Sequence, residues 1–182
     1  MTLKVNDYLN NLIGSWSKVD IPKLETAVHK VQESLRLGRN VFVIGNGGSS
    51  STASHFVADW VKGNRETNGI AGKAFCLSDN TPLVTAIGND IEYEQVFAYQ
   101  LKSYASAGDL LVCVTGSGKS PNIVNACKEA QFLEMSVIGL TGFDGGEIAK
   151  LADFSFHCPV DDMQIVEDMH MSFGHMVIRC QN

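Results

Sequence analysis

Long apolar runs, an excess of positive charge and paired-cysteine spacings are all missing from this chain of 182 residues. The longest apolar runs fall well short of the ~18 residues that a bilayer-crossing helix needs, so no membrane span is expected. Lys and Arg number 14 against 20 Asp and Glu, a formal charge of −6, whereas nucleic-acid surfaces are built from basic excess. Nucleic acid is therefore not an expected partner. The five cysteines, Cys76, Cys113, Cys127, Cys158 and Cys180, form no CxxC or zinc-knuckle pattern. Their odd number and an N-terminus without a signal-like pattern point to a reducing, cytoplasmic setting. Several lie in apolar segments, where free Cys behaves as a small hydrophobe. No internal repeat or low-complexity linker interrupts the chain. Its 45% hydrophobic and 19% charged content sits near globular averages, and 1–182 is expected to form one domain with its own core.

The elements follow from spacing. Val5, Tyr8, Leu9, Leu12 and Ile13 recur at helical intervals over 4–15, and Asp20, with Pro22 in the first turn, predicts a second helix ended by Gly38. Residues 1–38 are thus expected to form a helical hairpin, and 39–182 an α/β core. Strands are predicted at 40–44, 74–77, 109–114, 136–140 and 153–157, helices at 49–62, 81–88 with 92–106, 120–133, 146–151 and from 162 to the end. Runs such as "LLVCV" and "VIGL" are apolar on both alternating faces, which suits strands covered by helices on two sides. Strand–helix alternation of this kind gives a doubly wound parallel five-stranded sheet.

In such sheets ligands bind at the carboxyl ends of the strands. Two of those ends carry glycines and hydroxyls, "IGNGGSSS" (44–51) and "VTGSGKSPN" (114–122). Glycine lets a ligand approach the backbone, and the helix start supplies open N–H groups, so the pair suits an anion. Neither is a nucleotide fingerprint: Ser50 stands where GxGxxG needs its last glycine, and "GSGKS" lacks the upstream glycine of a P-loop. Two ordinary turns with capping serines remain the bland alternative.

"GNGGS" with "ASHF", "LSDNTPLVTAIGND", "GSGKSPNIVNA", "GLTGFDGG" and "VEDMHMSFGHM" resemble, in this order, the motifs of the sugar isomerase (SIS) domain family, and within it the phosphoheptose isomerase family. The resemblance runs from about residue 40 to the C-terminus and implies a flavodoxin-like or Rossmann-like sheet in a homotetramer with sites at subunit interfaces. The activity it implies is aldose–ketose isomerisation of sedoheptulose 7-phosphate to D-glycero-D-manno-heptose 7-phosphate, for bacterial surface heptose in lipopolysaccharide or capsule.

Carried over by position, the phosphate site comprises Asn46, Gly47, Gly48 and Ser49 with Thr115, Gly116, Ser117 and Ser120. The residues alone agree, since hydroxyls plus helix-end amides hold a phosphate without much cationic charge. Where the family has Ser-Thr-Ser, this chain has Thr115-Gly116-Ser117, and the Gly116 N–H is expected to stand in for the missing hydroxyl. Asn89 and Asp90 match a sugar-contacting pair, their alternative being a helix cap.

His55 and Asp59, at i and i+4, share one helix face. They match a His and a Glu of the family's zinc site, whose other ligands, a Gln and a His, correspond to Glu167 and His175. The resemblance thus implies a divalent metal, Zn²⁺, held by His55, Asp59, Glu167 and His175, with Asp59 as catalytic base and His175 as second acid/base. Asp59 is one methylene shorter than the family Glu, and Glu167 adds a negative charge. His170, five residues before His175, points elsewhere, toward core or a subunit contact. The rival reading is a non-catalytic SIS tetramer acting as a protein-binding module, as with members that associate with the replication initiator, or a sugar-phosphate sensor. A pure scaffold has no need of four polar groups on two converging helices.

Overall fold

The computed structural model describes residues 4–63, 65–66, 69 and 71–180. Five strands, β1 (Asn40–Gly45), β2 (Lys73–Cys76), β3 (Leu110–Thr115), β4 (Ser136–Gly142) and β5 (Phe154–Cys158), form one parallel sheet in the order β2-β1-β3-β4-β5. The chain leaves β1 for one edge and re-enters at β3 on its other side, with Val41 opposite Leu110 and Gly45 opposite Val114. That reversal opens a crevice beyond the carboxyl ends of β1 and β3, where doubly wound sheets bind ligands. Fold class and strand positions agree with the expectation from the sequence.

Alternation along the strands builds two cores. Val41 and Val43, Leu110, Val112 and Val114, Ile138 and Leu140 face one side; Phe42 and Ile44, Leu111 and Cys113, and Val137 face the other. The first face is covered by helices α2 (Ile21–Arg36), α3 (Gly48–Ala58) and α8 (Met163–Arg179). The second is covered by α4 (Thr81–Asp90), α5 (Ala98–Tyr104), α6 (Pro121–Phe132) and α7 (Ile148–Leu151). Burying each large apolar side chain contributes roughly 1.5–3 kcal/mol. Parallel strands need crossover connections, and the helices that supply them bury the central strands β1, β3 and β4 on both faces.

Helix α1 (Val5–Ser15) packs Tyr8 and Leu12 on the first core, and the Tyr8 hydroxyl donates to Asp168 at 2.6 Å. That hydrogen bond, made to a carboxylate, pushes the phenol up to about 12. Asp20 caps α2 through the Lys23 N–H, with Pro22 in the first turn, as its sequence predicts. The cysteines are free, and burial pushes Cys76 and Cys127 up to about 11 and Cys158 to about 12, out of thiolate chemistry. No helix among the described residues is long and apolar enough to cross a membrane.

Two departures from the expected elements matter. The predicted helix over 49–62 changes pitch: after α3 the segment Asp59–Gly63 is a π-helical turn. The predicted helix over 92–106 is broken into a 3₁₀ turn at Tyr93–Gln95 and the shorter α5.

Candidate active site

The crevice is closed by its two glycine corners. Gly47 turns the chain from β1 into α3 with φ +53°, a conformation that a side chain makes costly. The Ser50 N–H returns to the carbonyls of Asn46 and Gly47, and that of Ser51 to Gly47. The N–H groups of Gly48 and Ser49 are left as the open donors of the first turn. Across the crevice Ser120 precedes α6 without using its hydroxyl as a cap. Asn46 and Asn122 lock the corners together by reciprocal amide hydrogen bonds of 2.9 Å each, and the Tyr93 hydroxyl donates to Asn46 Oδ1 at 3.1 Å. The Asn46 carboxamide thereby braces the two loops, and Asn46 also lines the cavity between them.

Between the corners lies a cavity of about 170 Å³, its wall including Ser49, Ser117, Ser120 and Glu167. Thr115 and Gly116 also line it, but Thr115 Oγ1 accepts from the Gly118 N–H at 3.2 Å and turns inward to the loop. A Cβ at Gly116 would lie 2.5 Å from Met163 Sδ; the space of the missing hydroxyl is taken by the first turn of α8. Lys119, the cation of this loop, is paired with Asp144 at 2.7 Å, and the Lys119 amine holds that carboxyl below its usual range. Asn89 and Asp90 end α4 as an exposed pair, Asn89 Nδ2 donating to Asp90 Oδ1 at 2.7 Å; they do not line this cavity.

The far end of α3 meets α8. Asp59 Oδ2 lies 3.3 Å from His55 Nε2 and 3.7 Å from His175 Nε2, and the two Nε2 atoms stand 3.3 Å apart. One donor atom from each residue falls within 4.8 Å of the others. Two imidazole nitrogens and a carboxylate oxygen, partly exposed and so open to a further ligand, fit a divalent cation such as zinc. Glu167, expected as the fourth ligand, is not in this group. It precedes His175 by eight residues, about 12 Å along the axis of α8, and its carboxylate lies over the start of α3: a Cβ at Gly48 would meet Glu167 Oε1 at 2.8 Å.

Residues with no obvious chemistry hold the meeting point. The buried Trp60 indole donates to the Gly174 carbonyl at 3.1 Å and stacks on Phe56 at 5.2 Å. A Cβ at Gly174 would lie 2.2 Å from Phe56 Cδ1. Asp59 and His175 are the chain neighbours of this latch. The reading from sequence missed it, although an isolated glycine inside the α8 pattern was a signal of close packing. His170 is fully buried edge-on to Phe156, its ring nitrogens without a hydrogen-bond partner, and burial pulls it down to about 4. It lies in the core, outside the site.

Residues 6–142 match the SIS domain. The phosphoheptose isomerase of Aliarcobacter butzleri is 40% identical over 159 residues, covering 87% of this chain and 82% of the relative. That of Helicobacter hepaticus is 36% identical over 157 residues, covering 86% and 79%. The solved phosphoheptose isomerase of Francisella tularensis superposes with a TM-score of 0.87 at 29% identity, covering 96% of this chain and 94% of the other. That of Neisseria gonorrhoeae gives 0.85 at 30% identity, covering 97% and 95%. With corners, helix pair and near-full-length likeness all in agreement, the chain belongs to the SIS domain family, in the group of the phosphoheptose isomerases.

Proposed function

We propose that this protein interconverts sedoheptulose 7-phosphate and D-glycero-D-manno-heptose 7-phosphate, supplying heptose for bacterial surface lipopolysaccharide or capsule. The observation that carries this reading is the His55–Asp59–His175 cluster, spaced at 3.3 to 3.7 Å, where α8 brings His175 to the far end of α3, the helix whose first turn lines the hydroxyl-walled cavity. Ser49 precedes His55 by six residues, about 9 Å of helical rise. A terminal phosphate held at Ser49, Ser117 and Ser120 therefore leaves an extended sugar running toward the cluster.

Isomerisation moves one proton between C1 and C2. Asp59 takes the C1 proton of the ketose, and the electron pair forms the C1–C2 double bond of a cis-enediol. His175 gives a proton to O2 and takes one from O1. Asp59 then returns its proton to C2, and the carbonyl re-forms at C1. Both groups are presented by packed helices, so the geometry is set before substrate arrives. A Zn²⁺ bound by His55, Asp59 and His175 would supply Lewis-acid stabilisation of developing negative charge on the sugar oxygens. Glu167 is assigned to the substrate side.

Further support bears on assembly and setting. Val5, Leu9 and Ile13 form an exposed stripe of period four along α1, the pattern of a helix that packs on another copy, in line with a homotetramer. Asn89 and Asp90 are assigned to the sugar across a subunit boundary. Free thiols, four buried and Cys180 exposed, accord with a cytoplasmic enzyme.

The test is conversion of sedoheptulose 7-phosphate to the aldose, followed with and without a chelator. The wild type is expected to turn over and Asp59→Asn to lose at least about 10²-fold in rate, the lower range for a general base. Undiminished turnover in Asp59→Asn removes that residue from the base role; undiminished turnover after exhaustive chelation removes the metal.

A further inference from the structure

We propose that Glu167 acts as a resident anion in the phosphate cavity and lowers the affinity of this chain for free phosphate. The inference rests on the proposed phosphate site and concerns its affinity. Three observations carry it. Glu167 lines the cavity together with Ser49, Ser117 and Ser120, so its carboxylate shares the space that the anion would enter. It lies against the first residue of α3, since a Cβ at Gly48 would be 2.8 and 3.1 Å from its two oxygens. That is where the open N–H donors and the positive end of the helix dipole attract negative charge, its own or a phosphate's. The wall of the cavity carries no Lys or Arg among the described residues, and the nearby Lys119 is drawn off to Asp144 at 2.7 Å. A phosphate therefore enters beside one fixed negative charge with no cation set against it.

Two like charges in a partly enclosed site repel more strongly than in water, so phosphate binding must either crowd the carboxylate or displace it from the helix end. Free phosphate has only the hydroxyls and amides to offset that cost. A phosphorylated sugar has also its hydroxyl contacts and the cluster at the far end of α3. The carboxylate thus weakens binding of any phosphate group here, and the bare anion, with no other contacts, is left weakly bound. Glutamine at the same position has the same length and hydrogen-bonding oxygen without the charge, so it isolates the effect.

The experiment is titration calorimetry of the chelator-treated protein with inorganic phosphate, at one pH and ionic strength. It compares wild type, Glu167→Gln, Ser120→Ala and the double variant, with circular dichroism to confirm folding. Glu167→Gln is expected to bind phosphate at least tenfold more tightly than wild type, and the double variant to lose most of that gain. Equal affinities for wild type and Glu167→Gln, both weakened by Ser120→Ala, would overturn the inference and leave the phosphate site standing. No phosphate binding to any variant, Glu167→Gln included, would overturn the phosphate site and the inference with it.

Discussion

Gly174→Ala puts opposed forces into one position. In a helix interior alanine is favoured over glycine by about 1 kcal/mol, so propensity alone has the variant more stable. The structure requires the opposite. The new methyl would sit 2.2 Å from Cδ1 and 2.4 Å from Cε1 of Phe56, and must part from them by at least about 1.3 Å to reach ordinary carbon contact near 3.5 Å. Phe56 cannot yield easily, since it is fully buried and held between Trp60 at 5.2 Å and Phe173 at 6.1 Å. The strain falls on the separation of α3 and α8. Overpacking of this kind costs about 1–3 kcal/mol, which after the propensity gain leaves a net loss of up to about 2 kcal/mol, or a fall in Tm of about 4–8 °C for a chain of this size. Activity should suffer more, because His55 and Asp59 ride on one side of the contact and His175 on the other; a shift near 1 Å in a catalytic constellation costs on the order of 10²-fold. The assay pairs urea unfolding with kcat for Gly174→Ala, Phe56→Leu and the double variant. The double variant should recover activity relative to Gly174→Ala, with a coupling energy of about 1 kcal/mol or more. A Gly174→Ala protein as stable and as active as wild type would refute the packing argument outright.

Three further outcomes follow from the same structure. Trp60→Phe removes the N–H that meets the Gly174 carbonyl at 3.1 Å and is expected to cost about 1–3 kcal/mol in urea melts, with kcat reduced more than KM is changed. His170, pulled from 6.5 to about 4 by burial, is neutral in both folded and unfolded chains above pH 6.5; below it the unfolded chain gains a proton that the folded one refuses. Stability should therefore fall as pH drops from 6.5 toward 4, by about 2 kcal/mol between pH 7 and 5, and His170→Leu should flatten that slope. Lysine at both Leu9 and Ile13, on the exposed stripe of α1, should leave helicity intact while sedimentation shows a smaller species; an unchanged species would remove the stripe from assembly.

The parts of the fold that could be read from sequence are those set by local repetition. β3 announces itself because "LLVCV" is apolar at every position, which suits a short strand covered on both faces. His55 and Asp59 could be paired because helical geometry alone puts i and i+4 on one face. The meeting of that pair with His175 was carried by resemblance, since nothing local relates residue 59 to residue 175. The π-helical turn at Asp59–Gly63 escaped because a change of helical pitch leaves the polar and apolar pattern almost untouched. The bracing contacts of Asn46 escaped for another reason: its partners Asn122 and Tyr93 stand on distant elements, to which nothing local relates it. The place of Glu167 beside the start of α3 was not legible either, since the resemblance alone related it to the metal and nothing local relates residue 167 to residue 48.

The shortened acid at 59 and the glycine at 174 belong to one arrangement. An Asp side chain reaches one carbon–carbon bond, about 1.5 Å, less far than a Glu, so a cluster built on Asp59 depends on a close approach of the two helices. Gly174 allows it, because with no Cβ the backbone of α8 settles directly on the ring of Phe56, and the Trp60 indole fixes the approach by bonding the carbonyl at that same position. The helices come close enough that Asp59 Oδ2 reaches both imidazoles, at 3.3 and 3.7 Å. The latch and the His55–Asp59–His175 cluster thus share one stretch of backbone on each helix, so what moves one moves the other.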